Sequence, residues 1–203
     1  YISRPFEKAE VRQRIQNTLN LYARQKQLQQ MVQDQLYQRN RSNLLIDILS
    51  HIVEFRNGEH MLPMQRMRVL VDMLLHVLAE KTEKYGLTDE TISLIASATS
   101  LHDIGKIDIP GYILDKPDKL TEKEYEIVKA HAMKGAAMLA HMPPDTDGSL
   151  INRASDICRW HHERFDGKGY PDGLTGDAIP ISAQTVRFAD AVYPAIHQTL
   201  LRP

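Results

Sequence analysis

Neither glycine nor proline occurs between Glu7 and Arg41, where Gln, Arg, Lys and Leu dominate. With both helix breakers missing, that stretch favours one long helix. Cysteine is nearly absent: Cys158 stands alone, so no internal disulfide framework exists, and a reducing compartment fits. The neighbours of Cys158 suggest a small core thiol. No apolar run reaches the length of a membrane span and no signal peptide is visible, so a cytoplasmic chain without a membrane partner is expected. An excess of one charge is also missing. With 25 basic and 26 acidic residues the net charge is −1, which leaves no basic field for a nucleic-acid polymer. Strands lack a signal, because no segment alternates with period two. The expected fold class is therefore all-α, without internal repeats, in a chain of 203 residues that is long enough to bury a core unaided.

What is present is a succession of helical patterns. In the first stretch Val11, Ile15, Thr18 and Tyr22 fit a heptad seam, as do Val32 and Leu36, while Gln25 and Gln29 interrupt it. The segment reads as a connector helix that pairs with a second copy, or as a solvated helical linker. A separate helix is expected from Asn43 to Phe55, with Leu44, Leu45, Ile48, Leu49 and Ile52 on one wide face. After the break at 56–59, Pro63 suits a first helical turn, and an apolar helix follows to about Tyr85, stopped by Gly86. Thr88 or Asp89 can cap the next helix, which runs to Leu101. Residues 107–120 form a loop, and Thr121 to Glu124 read as a capping box opening a helix to about Ala140. Ser149 opens another helix, Phe165 to Ile179 forms an ordered loop, and Ser182 caps a last helix that Pro194 is expected to end early.

Nine histidines give this plan its chemistry. His102, Asp103, His131, His161 and Asp190 each continue the apolar stripe of an expected helix, and His162 adjoins one of them. An isolated His-Asp pair is as easily a polar helix end, and a single buried histidine is usually a satisfied core residue. Nitrogen and oxygen donors converging from four helices instead suit a divalent first-row metal, with a carboxylate able to bridge two ions.

The motifs that carry these residues resemble a known family. His-Asp-Ile-Gly-Lys (102–106) is followed by Ile-Pro-Gly-Tyr-Ile-Leu-Asp-Lys-Pro and Leu-Thr (109–121). His131 comes next, and then His-His-Glu-Arg-Phe-Asp-Gly-Lys-Gly-Tyr-Pro (161–171). Together they are similar to the HD-GYP family, metal-dependent phosphodiesterases of the HD superfamily that hydrolyse cyclic di-GMP. The resemblance implies an HD-superfamily bundle of at least five helices preceded by the connector helix. Arg4-Pro5-Phe6 and the helix after it resemble the tail of a response-regulator receiver domain, with Arg4 where that family usually has Lys. Residues 1–42 would then be receiver tail and connector, and 43–203 the HD-GYP domain. The implied partners are cyclic di-GMP, an N-terminal receiver domain, and a second copy held through the connector.

Residue by residue, the resemblance implies that His102 and Asp103 ligate metal, with Asp103 bridging two ions. His131, His161 and His162 would complete the second ion's shell, Asp190 would serve the first, and Glu59 matches a carboxylate ligand of trinuclear members. Fe, Mn or a similar ion would be the cofactor. Lys106 would stand beside the scissile phosphate and share the catalytic role with Asp103. Gly169, Tyr170 and Pro171 would shape the nucleotide pocket, with Arg164 and Lys168 reaching for phosphate. The sequence departs from the family at two places, both on the first-ion side. Pro63 stands where a histidine ligand is usual, with His60 nearby, and Tyr193-Pro194 replaces a Phe-Asp pair in the last helix. Two readings follow: an active phosphodiesterase in a two-component output with one weakened metal site, or a degenerate module that binds the nucleotide or a partner without turnover.

Overall fold

Helix follows helix in the computed structural model, which describes residues 8–56, 64–142 and 149–200. Apart from one antiparallel bridge between Asp166 and Thr175, no β-structure occurs among the described residues, and the all-α expectation holds. The chain divides into two compact units, Tyr1–Leu44 and Leu45–Pro203.

The first unit contains most of α1, which runs unbroken from Lys8 to Arg56. Local pairs one turn apart line this part of the helix: Arg14 with Glu10 at 3.0 Å, and Gln13 with Asn17 at 3.2 Å. Ile15, Leu19, Tyr22, Leu28, Val32 and Leu36 are all exposed. The separate helix expected from Asn43 does not exist. Nothing between Arg41 and Phe55 removes an amide donor or frees the backbone, so the helix continues through.

The second unit holds the core. It contains the end of α1 with α2 (Met64–Lys81), α3 (Asp89–Thr99), α4 (Gly111–Leu114), α5 (Glu122–Lys129), α6 (His131–Ala140), α7 (Ser149–Trp160) and α8 (Ile181–Leu200). Val71 and Leu75 of α2, Ile92 and Ile95 of α3, Ala154 with Ile157 and Cys158 of α7, and Val186 and Ala189 of α8 are buried together. Their spacing of three or four residues aims one face of each helix inward, and each large side chain so buried contributes roughly 1.5–3 kcal/mol. The caps act as expected: Thr88 accepts from the Thr91 amide, and Thr121 with Glu124 forms a complete capping box.

Four boundaries differ from the expected ones. α2 stops at Lys81, and Gly86 takes its positive φ of 55° in the turn beyond it. The long helix expected after Thr121 is two helices, α5 and α6, meeting at Ala130. Ser182 lies inside α8, its buried Oγ without a hydrogen-bond partner, and so caps nothing. α8 also passes through Pro194 to Leu200.

Gly105 sits where two backbones nearly touch. It lies in a 3-10 turn, Ile104–Asp108, that packs on α6, and a Cβ there would collide with the His131 carbonyl and the Gly135 amide. Both obstacles are main chain and cannot step aside. Gly105→Ala should cost at least the upper end of the roughly 1–3 kcal/mol typical of over-packing. In urea denaturation, Gly111→Ala is the control expected to change little, since its Cβ would meet only Asp115 Oδ2 at 3.6 Å.

Candidate metal centre

Three histidines here stand just past the ends of helices. His102 follows α3, His131 follows α5, and His161 follows α7. Each ring turns back to a carbonyl in the last turn of the helix before it, as a second donor where a backbone amide already reaches that oxygen. His102 Nδ1 lies 2.9 Å from Thr99 O, and His131 Nδ1 lies 2.6 Å from Val128 O. His161 Nδ1 is 2.9 Å from Ile157 O and 3.0 Å from Cys158 O. A carbonyl can only accept, so Nδ1 carries the proton in all three rings, and Nε2 is left to face inward.

Asp103 receives them. Its Oδ1 lies 3.3 Å from His131 Nε2 and 3.8 Å from His161 Nε2. The other oxygen, Oδ2, is 3.3 Å from His102 Nε2 and 2.7 Å from Lys106 Nζ. Lys106 arrives there because the tight turn after Asp103 stacks residues three apart, with the Lys106 amide bonded to Asp103 O at 2.9 Å. His162 closes the set: the ligand atoms of Asp103, His131, His161 and His162 all lie within 4.8 Å of one another.

The protonation states suit a cation. Burial lowers the pKa of His131 and His161 and brings that of His162 down to about 3, with neighbouring imidazoles adding to the effect. Burial alone would raise the carboxyl of Asp103, but His102 and Lys106 hold it well below its ordinary value. Burial would likewise lower His102, yet Asp103, helped by Asp190, lifts it to about 9. Three neutral imidazoles and an ionised carboxylate are the forms in which these groups bind metal. One distance tests the fit directly. His131 Nε2 and His161 Nε2 are 3.3 Å apart, both with their proton on the far nitrogen. Two lone pairs so placed repel unless a cation stands between or beside them, so the residues fit a divalent ion.

The remaining expected site residues fall in different places. Asp190 is exposed on α8, outside the four-residue group, although its charge reaches His102. Arg164 is exposed and clamps Asp166 through two bonds of 2.9 and 2.6 Å, and the Lys168 amide donates to the same carboxylate. The Tyr170 ring stacks on His162 at 4.7 Å, and the Tyr170–Pro171 peptide is cis. Gly169 lies so close to the backbone of Glu163 and Arg164 that no side chain fits. Glu59, His60 and Pro63 lie outside the described residues.

Reading the sequence for ligands passed over Glu163. It is fully buried, and its carboxylate accepts the amides of Asp172 at 2.7 Å, Gly173 at 3.0 Å and Leu174 at 3.0 Å. Arg187 was also missed: its Nη1 donates to His162 O at 3.2 Å. Position beside His161-His162 was a signal for Glu163, whereas no sequence signal linked Arg187 to the loop.

Comparison with known proteins agrees with this geometry. The HD domain family model matches residues 25–196. The chain belongs to the HD domain family. It is 34% identical over 200 residues, 94% of its length, to the cyclic di-GMP phosphodiesterase response regulator RpfG of Xanthomonas campestris pv. campestris (strain 8004), covering 50% of that protein. Against the 3'3'-cGAMP-specific phosphodiesterase 2 of Vibrio cholerae it is 36% identical over 152 residues, 75% of this chain and 27% of the relative. A cyclic di-GMP phosphodiesterase of Thermotoga maritima is 35% identical over 147 residues, 72% of this chain and 37% of that protein. The chain thus spans half or less of these curated relatives, and the part it spans is an HD-GYP domain.

Glu163 predicts a stability effect. Glu163→Ala leaves three amides to find other acceptors at about 1–3 kcal/mol for each that stays buried and unpaired. A fall of about 3 kcal/mol in urea denaturation is expected, together with faster amide exchange at Asp172, Gly173 and Leu174.

Proposed function

We propose that this HD domain hydrolyses cyclic di-GMP as the output module of a two-component response regulator. The observation that carries the reading is the Asp103 carboxylate, with one oxygen toward His131 and His161 and the other toward His102 and Lys106. Relatives named cyclic di-GMP phosphodiesterases, one of them a response regulator, support it. Residues 1–42 would be receiver tail and connector, and 43–203 the HD-GYP domain, in a cytoplasmic protein; no helix among the described residues is long and apolar enough to cross a membrane.

His131, His161, His162 and Asp103 would hold one divalent ion, Fe or Mn, and Asp103 with His102 and Asp190 would hold another, Glu59 matching a carboxylate ligand of trinuclear members. Bound ions supply the positive charge that activates a water and offsets charge on phosphate oxygens. Backbone carbonyls keep Nδ1 protonated on three ligands, so their Nε2 atoms need no reorientation. Lys106 presents its ammonium at the same carboxylate, where negative charge grows as the phosphorane forms. Arg164, Lys168 and the Gly169-Tyr170-Pro171 run would border the nucleotide. Pro63 cannot supply a side-chain ligand, so the first-ion site, beside His102 and Asp190, would be the weaker.

Asp103→Ala should abolish turnover of cyclic di-GMP and remove most bound metal, measured by product chromatography and elemental analysis with Mn²⁺ or Fe²⁺ supplied. Lys106→Ala should keep the metal and slow turnover by about a hundred- to a thousandfold. A wild-type chain that binds cyclic di-GMP but never cleaves it, with either metal present, would instead be a degenerate binding module.

The exposed apolar residues of α1 support a homodimer through the connector helix. Deleting residues 1–41 should shift the mass seen by light scattering from dimer to monomer. An unchanged mass would mark the segment as a linker.

A further inference from the structure

Beside the metal centre, one turn of α5 brings together groups that its ligands do not use. Lys129 ends α5, two residues before His131. Its Nζ lies 5.4 Å from the centroid of the Tyr125 ring and 5.4 Å from that of Tyr170, the ring stacked on His162. The same Nζ meets Glu126 Oε1 at 2.6 Å. Tyr125 is 48% exposed and the Glu126 side chain 61%, so an aromatic face and a carboxylate both open to solvent at this spot. An exposed ion pair three residues apart contributes little to stability. Its location is what needs an account, since Tyr170 links it directly to a ligand of the centre.

We propose that Tyr125, Glu126, Lys129 and Tyr170 form a subsite that reads guanine, which sets the base preference of the activity proposed above and rests on that reading. The half-exposed Tyr125 ring offers a stacking face, which any base can use, while Tyr170, already stacked on His162, borders the spot. Selection comes from the ion pair. An ammonium has three donors and no acceptor, and Glu126 occupies one of them. The others match O6 and N7 of guanine, both acceptors. The carboxylate of Glu126 only accepts, and so matches the N1–H and 2-amino donors on the adjoining edge. Adenine carries an amino donor where guanine has O6 and lacks both the N1–H and the 2-amino group, so it sets a donor against the ammonium and gives the carboxylate no donor on the adjoining edge. Because cyclic di-GMP and cyclic di-AMP carry equal charge, attraction of Lys129 to phosphate would favour both alike. The ratio of the two affinities is therefore the diagnostic quantity.

The test is equilibrium binding of the full chain, supplied with Mn²⁺, to the slowly hydrolysed bisphosphorothioates of cyclic di-GMP, 3'3'-cyclic GMP-AMP and cyclic di-AMP. The wild type should prefer the two-guanine ligand over the two-adenine ligand by at least about tenfold, with the mixed ligand between. Lys129→Met and Glu126→Gln should each bring that preference to within about threefold by weakening the guanine ligand, while Lys129→Arg keeps most of it. Tyr125→Ala should weaken all three ligands together. Equal losses across the ligands in Lys129→Met would make Lys129 a general phosphate cation and overturn the subsite, as would variants that bind like the wild type. A wild type that binds the ligands without base preference overturns the subsite alone. One that binds none of them overturns the cyclic dinucleotide reading as well.

Discussion

Asp103 must remain ionised although only 15% of its side chain meets solvent, and much of the second unit follows from that requirement. A carboxylate so placed loses most of its hydration, and the loss is tolerable only where opposite charge is close and well aimed. Lys106 supplies part of it at 2.7 Å, and the lifted proton on His102 another part. Neither addresses Oδ1, which looks at two imidazole nitrogens with lone pairs toward it. The half of the carboxylate facing Lys106 is balanced by the chain itself. The other half is balanced only when a cation joins the imidazoles.

The chain meets this requirement with helix ends. A histidine just past a helix terminus can donate Nδ1–H to a carbonyl of the last turn while its Nε2 points onward. The same arrangement recurs at the ends of α3, α5 and α7, so three separate helices deliver acceptors with one tautomer. It explains why α5 and α6 are two helices. Had the helix continued straight through Ala130, the Val128 carbonyl would have stayed within the ladder. Gly105 then allows the turn carrying Asp103 and Lys106 to approach the His131 backbone, closing the two halves of the site on each other.

Sequence spacing exposed the parts of this that depend on periodicity. The apolar stripes identified the all-α core and led to His102, His131 and His161, because a ligand that faces inward continues the inward face of its helix. Spacing was blind to interruptions made by tertiary contact. Nothing at Ala130 breaks a helix by propensity, and Gly135, the one poor helix former between Thr121 and Ala140, lies inside α6. Propensity also misjudged Pro194, through which α8 continues, and Ser182, whose hydroxyl lies buried in the helix it was expected to cap. Asp190 shows a further limit. A stripe continued by counting carried it inward, yet midway along α8 that position is exposed to solvent.

The distinction between a domain that turns over substrate and one that only binds rests on the two sides of Asp103. On the Oδ1 side, the Nε2 atoms of His131 and His161 are held 3.3 Å apart. Without a cation this approach is repulsive, and apolar side chains of similar volume would pack there at lower cost. Retaining three neutral imidazoles and a carboxylate at such a spot is intelligible if metal binding offsets the repulsion. The Oδ2 side is less demanding, since Lys106 and protonated His102 already neutralise it. A chain could therefore lose an ion there, as Pro63 in place of a ligand would favour, without destabilising its core. Were two ions bound as proposed, the chain would tolerate loss of the one at Oδ2 and not of the one at Oδ1, so a decline in the proposed activity would begin at Oδ2.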